Sequence, residues 1–180
     1  MALEHALLVS LSEQPASGLE LNRRFERSIG RFWQATHQQI YRVLTRMEAA
    51  GLVASHTVEQ HGTANKKVYR VTPAGTTFLS TWLAEPAEPE PIRSDLAVKM
   101  RGASFGDIER VLDVIERAAE EHRQRLENFR AMCARNYPDP SALSGLELDQ
   151  YLVLRGGILG EESYVAGLRE YLTAHGRETP

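Results

Sequence analysis

Residues 36–53, THQQIYRVLTRMEAAGLV, decide the fold of this chain. Thr36 and Gln39 have the spacing of a capping box, which predicts that a helix begins directly after Thr36. Gly51 predicts where it ends, because glycine is the usual residue just beyond a helix C-terminus. Between them, apolar residues recur at intervals of three and four, the spacing of one buried helix face. These residues are Ile40, Val43, Leu44 and Met47.

The opposite face of this predicted helix carries side chains that can recognise DNA bases. At 100° per residue, Gln38, Arg42 and Thr45 point away from the apolar face, with Tyr41 and Arg46 at its edges. Glutamine can pair with adenine and arginine with guanine in the major groove. Because exposed helices often carry an arginine without binding DNA, the interpretation depends on the surrounding sequence.

The surrounding sequence completes a winged helix-turn-helix pattern. Two helical segments precede the central helix, the second opened by a Ser-x-x-Glu box at Ser17. Two alternating, β-branched segments follow it and predict a β-hairpin, and Thr72-Pro73 then predicts a fourth helix. The flanking segments are residues 3–14, 17–30, 52–58, 67–71 and 72–82.

The charge of the chain is distributed unevenly between its two halves. The formal net charge is -3, yet residues 1–84 carry nine Lys or Arg against six Asp or Glu, a charge of +3. Residues 85–180 carry twelve against eighteen, a charge of -6. The N-terminal half is therefore the predicted partner of double-stranded DNA. Its predicted DNA-binding residues are Thr36, Gln38, Gln39, Tyr41, Arg42, Thr45, Arg46 and, as phosphate contacts of the hairpin, Lys66 and Lys67.

A proline-rich segment, residues 85–91, predicts a linker between a winged-helix domain at 1–84 and an α-helical domain at 92–180. In the second domain, apolar periodicity predicts a short helix from Ile92 and two long helices, over about 107–135 and from a capping box at Ser144. The fold class is therefore mainly α with one small β-hairpin.

The two long helices predict a homodimer. When paired antiparallel, they bury one face against each other and leave apolar surface for coiled-coil-like contacts with a second copy. Gly156, Gly157 and Gly160 lie inside the last helix, where glycine is unfavourable. Close approach of another helix or a kink would explain them, and the sequence does not choose.

Other function classes have no residues to support them. Cys133 is the only cysteine and the six histidines are scattered, so we expect neither a disulfide nor a metal site. Motifs for a cofactor, a phosphate loop or a nucleophile do not occur, and we expect no enzyme activity. The sequence has neither a signal peptide pattern nor an apolar stretch of membrane-spanning length, which predicts a bacterial cytoplasmic protein with no membrane partner.

Two stretches resemble the PadR family of bacterial transcriptional regulators. Residues 39–53 are similar to its recognition-helix signature and residues 67–75 to its wing and fourth helix. Residues 7–11 and 17–21 resemble its first two helices, and the C-terminal half is more loosely similar to the longer members of the virulence-activator type. Residues 62–65 lack the Arg-Pro-rich turn that is common in family wings.

The resemblance implies a homodimer on a palindromic operator, most often acting as a repressor. It also implies effectors such as phenolic acids and planar aromatic drugs, for which Trp33 and Trp82 are candidate stacking residues, although domain packing is the favoured role for both. The alternative is a winged-helix interaction adaptor that has lost DNA binding. Such an adaptor should carry acidic or apolar residues where this chain has its polar and basic ones, namely at Gln38, Arg42, Lys66 and Lys67.

Overall fold

The computed structural model describes residues 2–27, 35–59, 66–87 and 94–177. The chain divides into two compact units, Met1–Pro89 and Glu90–Pro180, and the division falls within the proline-rich segment. Each unit has its own core.

The N-terminal unit is a winged helix-turn-helix, as predicted. Its elements are α1 (Ala2–Glu13), β1 (Ala16–Ser17), α2 (Gly18–Arg27), α3 (His37–Ala49), β2 (Val53–Val58), β3 (Lys66–Val71) and α4 (Pro73–Leu83). The three strands are antiparallel in the order β1-β3-β2. In the hairpin, which forms the wing, Val53 lies opposite Val71 and Val58 opposite Lys66. Strand β1 was not predicted, because two residues are too few to show an alternating pattern.

Side-chain caps fix where the helices of this unit begin. At α2, the Ser17 amide donates to a Glu20 carboxylate oxygen at 2.9 Å, and the Glu20 amide donates back to the Ser17 hydroxyl at 3.3 Å. At α4, Thr72 accepts from the Gly75 amide, and Pro73 occupies the first turn. At the other end of α3, Gly51 has a φ of +73°, the left-handed conformation that glycine adopts without strain.

Helix α3 lies with its apolar face in the core of the unit. Ile40, Leu44 and Met47 are fully buried, and Val43 is nearly so. They pack with apolar residues from every other element of the unit, namely Leu7, Leu8, Leu11, Ala16, Leu21, Phe25, Val53, Tyr69 and Leu79. The core therefore sets which way α3 faces.

The C-terminal unit is an antiparallel pair of long helices with a short helix before it. The helices are α5 (Asp95–Arg101), α6 (Ile108–Asn136) and α7 (Gly145–Ala174). The early α6 residues Leu112 and Ile115 pack on Leu168 and Leu172, near the end of α7. Late α6 residues pack instead on early and middle α7. Among the described helices, none is long and apolar enough to cross a membrane.

The capping box predicted at Ser144 does not form. Ser144 precedes α7, but its side chain makes no capping hydrogen bond. Gly145 has a φ of +54°, whereas a capping box requires right-handed helical geometry directly after the cap. Helix α7 still begins at the predicted position, but its first turn is not stabilised by a hydrogen bond from the Ser144 side chain.

A buried polar cluster joins α6 to α7. Glu161 is 9% exposed, and its two carboxylate oxygens contact His122 Nδ1 and Arg125. The His122 ring also stacks on Tyr164, with centroids 4.6 Å apart. Hydrogen bonds and ring packing compensate for burying these polar groups between the helices.

The side of α7 that points away from α6 is also apolar, and we call it the outer face of α7. It carries Leu152, Val153 and Leu159, each more than half exposed. Gly156 and Gly160 lie on the same face, since they are spaced by three and four from these residues. A Cβ added at either glycine would meet nothing within 4 Å. Packing within the described chain therefore does not explain these glycines.

Gly75 is the position where a larger side chain should damage the fold. A Cβ there would lie 2.1 Å from the carbonyl oxygen of Leu52, which also accepts a hydrogen bond from Thr72. We expect Gly75→Ala to lower the free energy of unfolding of the N-terminal unit by about 1–3 kcal/mol, despite the better helix propensity of alanine. Urea unfolding followed by tryptophan fluorescence measures this, because both tryptophans lie in residues 1–84.

Gly106→Ala is the matched control for this variant. A Cβ at Gly106 meets nothing within 4 Å, and it lies in the other unit. An equal, small effect of the two substitutions would show that the contact between Gly75 and Leu52 does not constrain the fold.

Candidate nucleic-acid interface

The exposed side of α3 presents the side chains that the sequence pattern placed there. Gln38, Tyr41, Arg42 and Thr45 are all exposed. Within the described parts of the chain, the side chains of Gln38 and Arg42 make no hydrogen bond or ion pair with another residue. These two side chains are therefore available to a ligand on that side of the helix.

Two of the predicted DNA-binding residues are engaged in capping α3. The Thr36 hydroxyl accepts a hydrogen bond from the backbone N–H of Gln39 at 3.3 Å. In return, Gln39 Oε1 accepts one from the backbone N–H of Thr36 at 2.8 Å. Gln39 must therefore break this cap before its side-chain oxygen can accept from a base. Both residues lie at the helix N-terminus, where free backbone N–H groups favour an anion such as a phosphate.

Tyr41 packs against the N-terminus of α2. An added Cβ at Gly18 would lie 2.5 Å from Tyr41 Cζ, so the absence of a side chain there makes room for the phenol ring. The ring also lies against His37, with centroids 4.5 Å apart. Thr45 donates its hydroxyl to the Tyr41 carbonyl at 3.0 Å. Tyr41 is thus oriented by the protein while 39% of it remains exposed.

Arg46 is held by a carboxylate of α1. Its guanidinium contacts Glu4 at 2.8 Å, and Glu4 is mostly buried while Arg46 is about half exposed. The ion pair ties α3 to α1 on the edge of α3 away from the wing. Arg46 is less free to bind a ligand than Arg42.

Lys66 and Lys67, at the start of β3, are also paired. Lys66 Nζ contacts Glu20 of α2, and Lys67 Nζ contacts Glu48 of α3 at 2.7 Å. The hydrogen bond from Lys66, followed by that from the Ser17 amide, lowers the pKa of Glu20 from 4.5 to about 2. The hydrogen bond from Lys67 lowers the pKa of Glu48, and the same bond raises the pKa of Lys67.

The comparisons with known proteins identify the family of the chain. A profile of the PadR-like family of transcriptional regulators matches residues 7–81, and one of the virulence activator alpha C-terminal region matches residues 92–175. A Mycobacterium tuberculosis protein named "Probable transcriptional regulator Rv1176c" is 48% identical over 184 residues, 97% of each chain. The chain belongs to the PadR-like family of transcriptional regulators.

Solved structures of PadR-like proteins have the same fold over both units. Bacillus subtilis PadR in complex with operator DNA superposes with a TM-score of 0.86 at 25% identity, covering 97% of this chain and 99% of that one. The Vibrio cholerae virulence activator AphA gives a TM-score of 0.80 at 28% identity, with 97% and 98% covered. Both match nearly the whole length of this PadR-like regulator, the C-terminal helices included.

The candidate effector residues lie partly outside the described structure. Trp33 and residues 61–65 of the wing turn fall outside the described ranges. Trp82, on α4, is 37% exposed and stacks on the ring of buried His5, with centroids 4.1 Å apart. Phe78 stacks on the same histidine at 5.1 Å. Of the described residues, no group of three or more His, Cys, Asp or Glu is placed to hold a metal ion.

Sequence reasoning missed the acidic partners of this PadR-like regulator's basic residues. Glu4, Glu20 and Glu48 each pair with one of the predicted DNA-binding residues, and Gly18 makes room for Tyr41. The only local signal was the capping box at Ser17, which predicted Glu20 as a helix cap and not as a partner of Lys66.

The pKa of Glu20 predicts a pH dependence for the N-terminal unit. The pKa is about 2 in the folded chain against an ordinary 4.5, so the unfolded chain binds the proton first. The stabilisation by Glu20 is therefore complete above about pH 4.5 and is lost as the pH falls towards about 2. We expect the urea midpoint of the wild type to exceed that of Glu20→Gln at about pH 6 and the difference to shrink at about pH 3. A difference that does not change with pH would contradict this assignment.

Proposed function

We propose that this PadR-like regulator binds an inverted-repeat operator as a homodimer and represses transcription. The observation that carries the proposal is a pair of exposed side chains on the outward face of α3, Gln38 and Arg42, which have no partner among the described residues. The opposite face of the same helix is fully buried. Recognition helices enter the major groove in this way, with N-terminal outward residues at the base edges.

The remaining polar residues divide into positioning and phosphate contacts. Tyr41 and Thr45 lie beside Arg42 and can reach phosphates or a thymine methyl group. Thr36 and Gln39 contribute the capped helix N-terminus. Lys66, Lys67 and Arg46 supply positive charge at the two edges of α3, where contacts to the DNA backbone fix orientation and do not select bases.

The named relatives support DNA binding and leave the sign of regulation to experiment. Bacillus subtilis PadR, whose structure with operator DNA has this fold, is named a negative transcriptional regulator and is 25% identical over 173 residues. AphA is named a virulence activator. We propose repression on the first likeness, and a reporter gene placed downstream of the operator tests it.

Arg42 should contribute sequence specificity. If it contacts a guanine, Arg42→Ala should weaken binding to an operator selected from random-sequence DNA by about 1–3 kcal/mol, with much less loss on unselected DNA. Titrations of both duplexes at one salt concentration measure the two losses. Arg46→Ala is the matched control, because Arg46 lies on the same helix but is assigned to the DNA backbone, so that any loss should be equal on the two duplexes.

The outcomes of this experiment separate the alternatives. Equal losses of affinity on operator and unselected DNA would show that Arg42 contacts a phosphate and not a base. If the wild type binds no DNA, the interaction adaptor replaces the regulator as the function.

The proposed dimer rests on the outer face of α7. Leu152, Val153 and Leu159 expose apolar surface that a soluble helix usually buries, and Gly156 and Gly160 leave room beside them for another backbone. A second copy of the same face would cover both features. Isologous pairing of this kind is the commonest form of homodimer.

Charges placed on the outer face should dissociate the dimer. We expect Leu152→Glu combined with Leu159→Glu to shift the protein towards the monomer in sedimentation or light scattering, since buried carboxylates without partners are costly. Arg169→Glu is the control, because Arg169 is exposed on α7 but lies off this face. A dimer unaffected by the double substitution would place the interface elsewhere.

An aromatic effector is a further part of this proposal. Trp82 offers a partly exposed indole plane above His5, a surface on which a flat ligand could stack. Isothermal titration calorimetry with candidate phenolic acids, compared between the wild type and Trp82→Leu, tests this role, and equal affinities would exclude Trp82 from the effector site.

A further inference from the structure

We propose that Glu20 and Glu48 occupy the ammonium groups of Lys66 and Lys67 in the free protein and so lower its affinity for non-specific DNA. DNA phosphates must displace these carboxylates before they can bind the wing lysines. The inference rests on the proposed DNA binding and deepens it, because it names the groups that limit electrostatic affinity.

Glu48 contacts both strands of the wing. One of its carboxylate oxygens accepts from the hydroxyl of Ser55 on β2, and the other accepts from Lys67 Nζ on β3 at 2.7 Å. Glu48 itself lies in the last turn of α3. A single carboxylate thus joins the proposed recognition helix to the wing and neutralises a wing lysine.

Glu20 makes the equivalent contact from α2. One oxygen accepts from the amide and hydroxyl of Ser17, at 2.9 and 3.0 Å, and completes the capping box. The other contacts Lys66 Nζ. Glutamine serves in a capping box as well as glutamate does, so the cap does not require the negative charge. The negative charge of Glu20 instead forms the ion pair with Lys66.

Both pairs are accessible enough to exchange partners. The exposed fractions of the side chains are 29% for Lys66 and 50% for Lys67, against 41% for Glu20 and 31% for Glu48. Ion pairs at such exposure contribute at most about 1 kcal/mol to stability, and a phosphate can replace a carboxylate at the same ammonium group. Each displaced carboxylate loses its ammonium partner, and the cost of that loss opposes binding.

The strength of the effect follows from counterion release. Each phosphate neutralised by a free lysine adds about one ion to the salt dependence of binding. Lysines that are already neutralised by carboxylates contribute less than this. Replacing both glutamates by glutamine should therefore steepen the salt dependence by about one to two ions and tighten binding to unselected DNA by roughly threefold to tenfold at low salt.

The test compares Glu20→Gln/Glu48→Gln with the wild type by fluorescence anisotropy on unselected duplex DNA over a series of salt concentrations. The control is Glu121→Gln/Glu147→Gln, which removes the same charge from two exposed glutamates of the C-terminal unit. We expect the gain only for the first variant. Equal gains for both variants, or no gain for the first, would overturn the proposal. Urea midpoints of the variants verify that the fold is kept.

A double-mutant cycle separates displacement from simple repulsion at a distance. In a Lys66→Met/Lys67→Met background, the glutamate substitutions should give no gain, because there are no lysines to release. A gain that persists in this background would show that the carboxylates only repel DNA and would overturn the proposal.

Elution from heparin, a polyanion, measures the same release of the lysines without any operator. We expect Glu20→Gln/Glu48→Gln to elute at higher salt than the wild type and than the control variant. Elution of all three proteins at the same salt concentration would contradict the proposal. A wild type that binds no operator would refute the proposed function, whereas the heparin result bears on the lysine pairs alone.

Discussion

The surface that the N-terminal unit offers to DNA depends on the burial of the apolar face of α3. Ile40, Leu44 and Met47 are fully buried, and burial of each such side chain contributes about 1.5–3 kcal/mol. Because the side chains of a helix keep a fixed angular relation, burying this face fixes the outward direction of Gln38 and Arg42. No protein contact has to hold those two residues, which leaves their hydrogen-bonding groups for a ligand. The core orients the two proposed recognition side chains without occupying them.

The parts of the fold that the sequence predicted are those that depend on local hydrogen bonds and on apolar periodicity, as α3 does. The capping box at Thr36, the apolar spacing up to Met47 and the glycine at Gly51 are local signals, and local hydrogen bonds and periodicity suffice to place α3. Strand β1 exists only because β3 passes beside it, so its two residues carry no signal of their own. At Ser144 the sequence matched a capping box, but the left-handed backbone of Gly145 gives the helix another start. Local sequence patterns therefore do not predict an element that depends on a distant partner, or a helix start that depends on a single backbone angle.

The site shows the same division between local and long-range information. Exposure of Gln38 and Arg42 follows from helix periodicity and was predictable. The pairs of Arg46 with Glu4 and of Lys66 with Glu20 join residues 42 and 46 positions apart, and only the folded chain brings them together. A count of positive charges therefore overstates the charge available to DNA, because three of the predicted basic contacts are already paired with carboxylates. Arg42 is the predicted basic contact with no such partner within the described residues.

In the proposed homodimer, the C-terminal unit contributes to sequence recognition without touching a base. Two copies related by a two-fold axis present two α3 helices, and the distance between those helices sets the spacing of the half-sites. Close approach of the two outer faces of α7, which Gly156 and Gly160 permit, would hold the two copies together, and bulkier residues there would oppose it. An operator with optimal half-sites at the wrong spacing would engage only one α3 helix at a time and lose the gain of simultaneous binding. The glycines of α7 would then act on binding through formation of the dimer, whereas the proposed role of Arg42 lies in the chemistry of one base pair.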